Sequence, residues 1–312
     1  MNITILGSGV FGLSLAHLFF ESKNKVTVWS KFLEEVEDLK DKHTDFSFTS
    51  NMKDAVLKAD IVVLAVPIQF FDETLRTFQE FYQKQTILIA SKGIHSTLLK
   101  FGYQMLEDRL NHASYGVLSG GTFAKDMMED NIMGITLATI YSTVENIVKQ
   151  CLYQSSFLKL QISHDVVGVS ICGAIKNVMA IGLGMFDGMC VSPSSRYLFL
   201  TEVILEIQKL IIQFGGNKDT ILSYAGIDDI MMTCTSSQSR NYTLGYMIGR
   251  GEHSKDIQQY KDTTTIEGLE TTQSIVSLLQ ENLENFPFIS TIYHILYQEY
   301  NTDSLMAILK DV

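Results

Sequence analysis

Proline is scarce in this chain, with three in 312 residues. No proline-rich linker marks a domain boundary, so any boundary must be read from a change of periodicity. Cysteine is sparse too: Cys151, Cys172, Cys190 and Cys234 are widely spaced, without a CxxC pair. That pattern argues against disulfides and zinc and reads as reduced thiols of a cytosolic protein. The seven histidines lie away from cysteines and carboxylates at metal-ligand spacing. No metal site is expected, and lone histidines such as His17 and His112 read as ordinary helix residues. Positive charge is in deficit, 24 Lys and Arg against 35 Asp and Glu, for a formal net charge of -11. A nucleic-acid or anionic-membrane partner would call for a basic face and is not expected. An anionic small molecule remains compatible, because remote charges are screened over roughly 8 Å while a few nearby cations dominate. The apolar start ITILGSGVFGLSLAHLFF lacks the basic leader of a signal peptide, and no other run reads as long enough to span a bilayer. Cytoplasmic localisation follows as the expectation.

What is present divides the chain in two. Up to about residue 163, short β-rich runs alternate with helical patterns: Ile3–Leu6, Lys25–Trp29, Ile61–Val66, Thr86–Ala90, Tyr115–Ser119, Ile135–Ile140 and Phe157–Ile162. This is the pattern of a parallel sheet covered by helices. From His164 onward the strand signal disappears and long helices take over. The expected architecture is an α/β Rossmann-type N-terminal domain with a mostly parallel sheet, residues 1–163. An all-α C-terminal domain, residues 164–312, would carry substrate binding and catalysis. One helix, Tyr197–Phe214, is apolar nearly all round, with Glu202, Glu206, Lys209 and Gln213 as its polar stripe before Gly215 and Gly216 stop it. It suits either the core of a monomer or a homodimer contact.

The first strand runs straight into Gly7-Ser8-Gly9-Val10-Phe11-Gly12, followed by a helical pattern. In a dinucleotide-binding turn Gly7 permits the tight bend, Gly9 lets the backbone reach a pyrophosphate, and Gly12 allows close helix packing. The helix N-terminus beyond it offers free amides and positive dipole to phosphates. About 20 positions on, an acidic residue normally grips the ribose of NAD. Here Ser30 and Lys31 occupy the strand tip, and Lys31 could pair with the 2′-phosphate of NADP; Glu34 and Glu35 follow a turn later as candidate helix surface. Cofactor choice between NAD and NADP stays open, with a lean toward tolerance of NADP. Pro67 and Lys92-Gly93 fall at the ends of two further strands, on the carboxyl edge where open α/β sheets bind ligands.

In GVSICGAIKNVMAIGLGM a lysine and an asparagine stand in an apolar helical stretch. Lys176 shares its face with Cys172, Gly173, Met179 and Ala180. Burial disfavours the charged amine and draws it toward general acid/base chemistry near neutral pH. Gly173, Asn177, Ala180 and Gly184 form a strip of little bulk that admits a ligand or another backbone. The alternative is a helix packed on a helix, with Lys176 reaching the surface on its long stem.

Taken in order, GSGVFG, ADIVVLAVP, ASKG, LSGGTFAKD, GAIKNVMAIGLGMFDG, AGIDDIMMTCTSSQSRN and TTIEG resemble the bacterial-type NAD(P)-dependent glycerol-3-phosphate dehydrogenases, over nearly the whole chain. The resemblance implies interconversion of dihydroxyacetone phosphate and sn-glycerol 3-phosphate with NAD(P)H, feeding phospholipid synthesis. It gives Lys176 the acid/base role, Asn177 substrate orientation, and Lys92 a place beside the substrate. Asp229 and Thr233 would complete the network round the amine. Ser239, Arg240 and Asn241 match the family's substrate-phosphate site, with Arg240 also toward the cofactor. Gly120, Thr122 and Ala124 match a segment meeting substrate and cofactor. Glu267 matches the acid that approaches the cofactor, beside Gly7, Gly9, Val10, Phe11, Gly12, Lys31 and Lys92. Departures stand at Gly121 in place of a proline, at Ser194 in the segment Pro193 to Arg196, at Glu202 and at Asp228. The segment from Lys31 to about Asp45 is shorter than the family's. These departures bear on substrate affinity and cofactor preference, and keep two rivals open: a same-fold dehydrogenase acting on another small 2-hydroxy or phosphorylated acid, and a non-catalytic dinucleotide sensor.

Overall fold

The computed structural model describes residues 1–298 and 300–311. The chain forms two compact units: Met1–Lys92 with Phe101–Val166, and Gly93–Lys100 with the residues from Val167 onward.

The first unit is built on an eight-stranded sheet. Its strands are β1 (Asn2–Leu6), β2 (Lys25–Trp29), β3 (Ser47–Thr49), β4 (Ile61–Leu64), β5 (Thr86–Ile89), β6 (Tyr115–Ser119), β7 (Met133–Ala138) and β8 (Leu158–Ser163). They lie in the order β8-β7-β6-β5-β4-β1-β2-β3. Only the β6–β7 pairing is antiparallel, so the sheet is mostly parallel as its alternating sequence pattern predicts. All of β4 is buried, as apolar runs covered on both faces must be. Leu6 pairs with both Trp29 and Leu64, and Leu64 with Ile89, so these strands end together. That shared carboxyl edge collects Gly7, Ser30, Lys92 and Gly120, each just beyond the last residues of its strand. Helix α1 (Val10–Glu21) covers one face, seating Leu15 and Phe19 among Ile3, Ile5, Val28 and Val63.

Most strand ends fall within one or two residues of expectation, and two departures have a visible cause. Strand β7 begins at Met133 and stops at Ala138, leaving Ile140 66% exposed, because Thr139 hands its N–H to Ser163 and its hydroxyl to Tyr115. The three-residue β3, absent from the predicted runs, follows helix α2 (Leu33–Lys42) and is held as an edge against β2.

The second unit is helical apart from two-residue strand pieces. Its central helix α3 (Val166–Gly188) is long and apolar enough to cross a bilayer, which corrects the expectation that no run is. Yet 89% of its apolar window is buried inside the protein. Helix α4 (Pro193–Gln213) begins four residues before the expected Tyr197, because the Ser192 side chain accepts from the Ser195 N–H and Pro193 pre-sets the first turn. Of its expected polar stripe, Lys209 and Gln213 are exposed and Glu202 is partly so, but Glu206 is a second correction. Glu206 is 3% exposed, and its carboxylate accepts the N–H groups of Phe288 (2.9 Å) and Ile289 (2.8 Å) at the start of a further helix, Pro287–Tyr297. Burial pushes its acid up to about 7. Leu205 and Ile212 lie exposed on the same helix instead.

Candidate active site

The glycine turn leaves β1 with Gly7 at φ +127, a conformation side chains rarely adopt, and a Cβ there would lie 2.7 Å from the Ala65 carbonyl oxygen. A Cβ on Gly12 would lie 2.1 Å from the Gly7 oxygen, so the third glycine lets α1 start directly over the turn. A Cβ on Gly9 would meet nothing within 4 Å. Gly9 is also the N-cap of α1, where no side chain caps the helix and no acid occupies its first turn. Open space above uncapped amides fits a pyrophosphate. Val10 is 76% exposed beside this space, while Phe11 is half-buried.

Along the same edge Lys92 reaches the Gly120 carbonyl (Nζ to O 3.5 Å) and lies 5.5 Å from the centre of the Phe11 ring. Gly120 is forced by space, since a Cβ there would stand 2.3 Å from the Gly134 oxygen. Thr122 Oγ1 lies 3.5 Å from the Gly120 oxygen, and Ala124 opens a short helix, Ala124–Met128. Ser119 Oγ, at the end of β6, is buried with no hydrogen-bond partner among the described residues, leaving a donor on this edge. Lys31 is drawn into an exposed ion pair with Glu73 (2.6 Å).

In the second unit the two readings of the lysine helix resolve. Gly184 serves another backbone: a Cβ there would lie 2.1 Å from the Tyr242 oxygen, and one on Gly245 1.9 Å from that of Ile181, so α3 crosses a helix over Arg240–Gly249 in close contact. Lys176 does not escape to the surface. It is 7% exposed, and its ammonium pairs with the Asp229 carboxylate, itself 0% exposed. Thr233, one turn on in the helix Asp229–Thr235, donates to the same oxygen at 3.2 Å. Just before Asp229 lies a π-helical stretch, Tyr224–Asp228, with Gly226 at the non-helical φ -92, ψ -108. Single π turns of this kind recur at functional sites. The neighbouring Cys234 thiol, fully enclosed, is pushed up to about 12 by burial and stays protonated.

A second chain of hydrogen bonds begins one residue along. Asn177 Nδ2 donates to Glu267 (3.2 Å), Asn241 Nδ2 donates to Asn177 Oδ1 (3.0 Å), and the Gly268 N–H donates to Asn241 Oδ1 (2.9 Å). Three separate helices thus position one another through two buried amides. Ser239-Arg240-Asn241, a plain polar loop when read without the family, is a helix start. Ser239 is the N-cap, its hydroxyl accepting the Tyr242 N–H, and Arg240 opens the helix with its side chain exposed. A serine ahead of a helical run is the one local signal that could have marked it. The hydroxyl bonds from Ser8 and Ser30 to Glu35 had no such signal.

Residues 2–144 match the NAD-dependent glycerol-3-phosphate dehydrogenase N-terminus, and residues 165–307 match the C-terminus of the same family. The chain belongs to the NAD-dependent glycerol-3-phosphate dehydrogenase family. Among its relatives is a glycerol-3-phosphate dehydrogenase [NAD(P)+] of Staphylococcus saprophyticus, 30% identical over an aligned length of 318 that takes in 97% of this chain and 95% of the relative. A Staphylococcus aureus enzyme of the same name is 30% identical over 313 residues, 95% of this chain and 94% of its own. The glycerol-3-phosphate dehydrogenase structure from Coxiella burnetii superposes with a TM-score of 0.91 at 24% identity, covering 99% of this chain and 98% of that one. The Saccharomyces cerevisiae structure gives 0.86 at 19% identity, covering 99% of each chain. At those identities the solved structures speak for the fold: a family Rossmann-type unit followed by a helical one.

Proposed function

We propose that this chain interconverts dihydroxyacetone phosphate and sn-glycerol 3-phosphate with NAD(P)H. The observation that carries the reading is the buried Lys176–Asp229 pair in a chain of this family. When bound, a reduced nicotinamide supplies the hydride that C2 of the ketone receives. Lys176 supplies the proton for the C2 oxygen. Asp229 favours the ammonium form of Lys176, the form that can donate, and Thr233 holds the carboxylate in place. The N-terminus of α1 takes the pyrophosphate, and Glu267, held on the amide chain by Asn177, matches the acid that approaches the cofactor in this family. Arg240 takes the substrate phosphate with its planar guanidinium, helped by the start of its own helix. Asn177 orients the substrate, and Asn241 fixes Asn177. Lys92 presents a second cation at the carboxyl edge of the sheet.

The substrate class is a small phosphorylated ketone or alcohol. The product suits phospholipid synthesis in the cytoplasm, and the protein works without nucleic acid or insertion into a membrane. The exposed Leu205 and Ile212 on α4 support a homodimer. The changes at Gly121 and Glu202 favour one second reading, the same fold acting on another ketone.

Oxidation of NADH and NADPH, followed with dihydroxyacetone phosphate and a panel of other ketones, tests both. Turnover with dihydroxyacetone phosphate, reduced at least ~100-fold in Lys176→Ala, is expected. Success only with another ketone refutes the substrate, and tight dinucleotide binding without turnover on any ketone refutes the enzyme.

A further inference from the structure

At the tip of β2 the residue that would grip the ribose is Ser30, and the acid arrives instead from α2. Glu35, in the first turn of that helix, accepts two hydroxyl donors on one oxygen: Ser8 Oγ at 2.7 Å and Ser30 Oγ at 2.5 Å, both to Oε2. Ser8 belongs to the glycine turn, and Ser30, 4% exposed, is itself braced by the Phe32 N–H at 3.3 Å. The carboxylate is therefore fastened between the pyrophosphate turn and the strand tip. Among the described residues, no hydrogen bond to its other oxygen competes in that pairing. The cation nearest in sequence, Lys31, is paired with Glu73, and its side chain and that of Glu73 are 57% and 58% exposed. Glu34 adds a further negative charge to the same turn.

We propose that Glu35 selects the adenosine ribose: it accepts the ribose hydroxyls of NADH and repels the 2′-phosphate of NADPH. The inference rests on the dinucleotide reading of the glycine turn, and it reverses the lean toward NADP suggested by Lys31 in the sequence. A carboxylate held still by two donors loses little freedom on accepting a third. A phosphate brought against it meets the like charges of Glu35 and Glu34, while Lys31, the nearest cation in sequence, is engaged by Glu73.

The test is equilibrium binding to the full chain without substrate, followed by fluorescence titration with NADH and with NADPH. NADPH is expected to bind at least ~10-fold more weakly, a gap that narrows as salt is raised. Glu35→Gln should bring the two dissociation constants within about 3-fold, by tightening NADPH as well as weakening NADH. Glu37→Gln, an exposed change on the same helix, should leave the ratio as it was. Because Glu35 is exposed, its variant is expected to unfold at the wild-type temperature, and that is measured alongside. Equal affinities in the wild type, or a ratio untouched by Glu35→Gln, overturn the role of Glu35 while leaving the dehydrogenase reading intact. Failure of both dinucleotides to bind overturns the role of Glu35 and the dehydrogenase reading together.

Discussion

Removing one member of the Lys176–Asp229 pair strands the other. Asp229 has no exposure and Lys176 almost none, so neither Lys176→Met nor Asp229→Asn lets water replace the lost partner. Breaking a buried pair from one side costs ~3–5 kcal/mol, whereas replacing both partners together is often close to neutral. At ~2–4 °C per kcal/mol for a domain of this size, Lys176→Met should lower the unfolding midpoint by about 6–20 °C. Asp229→Asn should cost less, because the amide oxygen can still accept from Thr233. The double variant Lys176→Met/Asp229→Asn should recover most of that loss and still turn over at least ~100-fold more slowly than wild type. Urea unfolding and steady-state oxidation of NADH with dihydroxyacetone phosphate, run on all four proteins, separate the two effects. A double variant as unstable as the sum of the singles would mean that the two charges are not coupled. A stable double variant with wild-type turnover would mean that the amine is not the proton source.

Gly12→Ala places a Cβ 2.1 Å from the Gly7 oxygen and should weaken NADH binding at least ~10-fold as the turn shifts; a titration within 2-fold of wild type would refute it. Gly184→Ala drives a Cβ against the Tyr242 carbonyl, a backbone atom that cannot rotate aside, and should cost ~3 kcal/mol in urea unfolding. Glu206 titrates at about 7 in the folded protein against an ordinary 4.5, so the folded state keeps a proton that the unfolded chain has lost between those values. Its contribution to stability is complete below about 4.5 and falls by up to ~3 kcal/mol as pH rises through about 7. Unfolding measured at pH 5 and pH 8 should show that extra loss in wild type and not in Glu206→Gln.

The sequence alone decided the class of the fold and its first ligand-binding element. Alternating apolar runs demand a covered parallel sheet, and three glycines between a strand and a helix leave few uses for that turn, because both signals are local and repeat along the backbone. It also singled out Lys176 by placing an amine among apolar neighbours, but could not say whether the long side chain stayed inside. That was decided by Asp229, 53 residues away, whose buried carboxylate holds the ammonium in place. The same holds for Glu206, which periodicity placed on a polar stripe and which packing turned inward to cap a helix 82 residues later. Ser239 to Asn241 became a helix start, and Glu35 became the partner of two serines, only once the chain had folded. Charge and hydrogen-bond partners are fixed by whichever groups the tertiary structure brings within about 3 Å, and spacing along a single sequence carries little information about them.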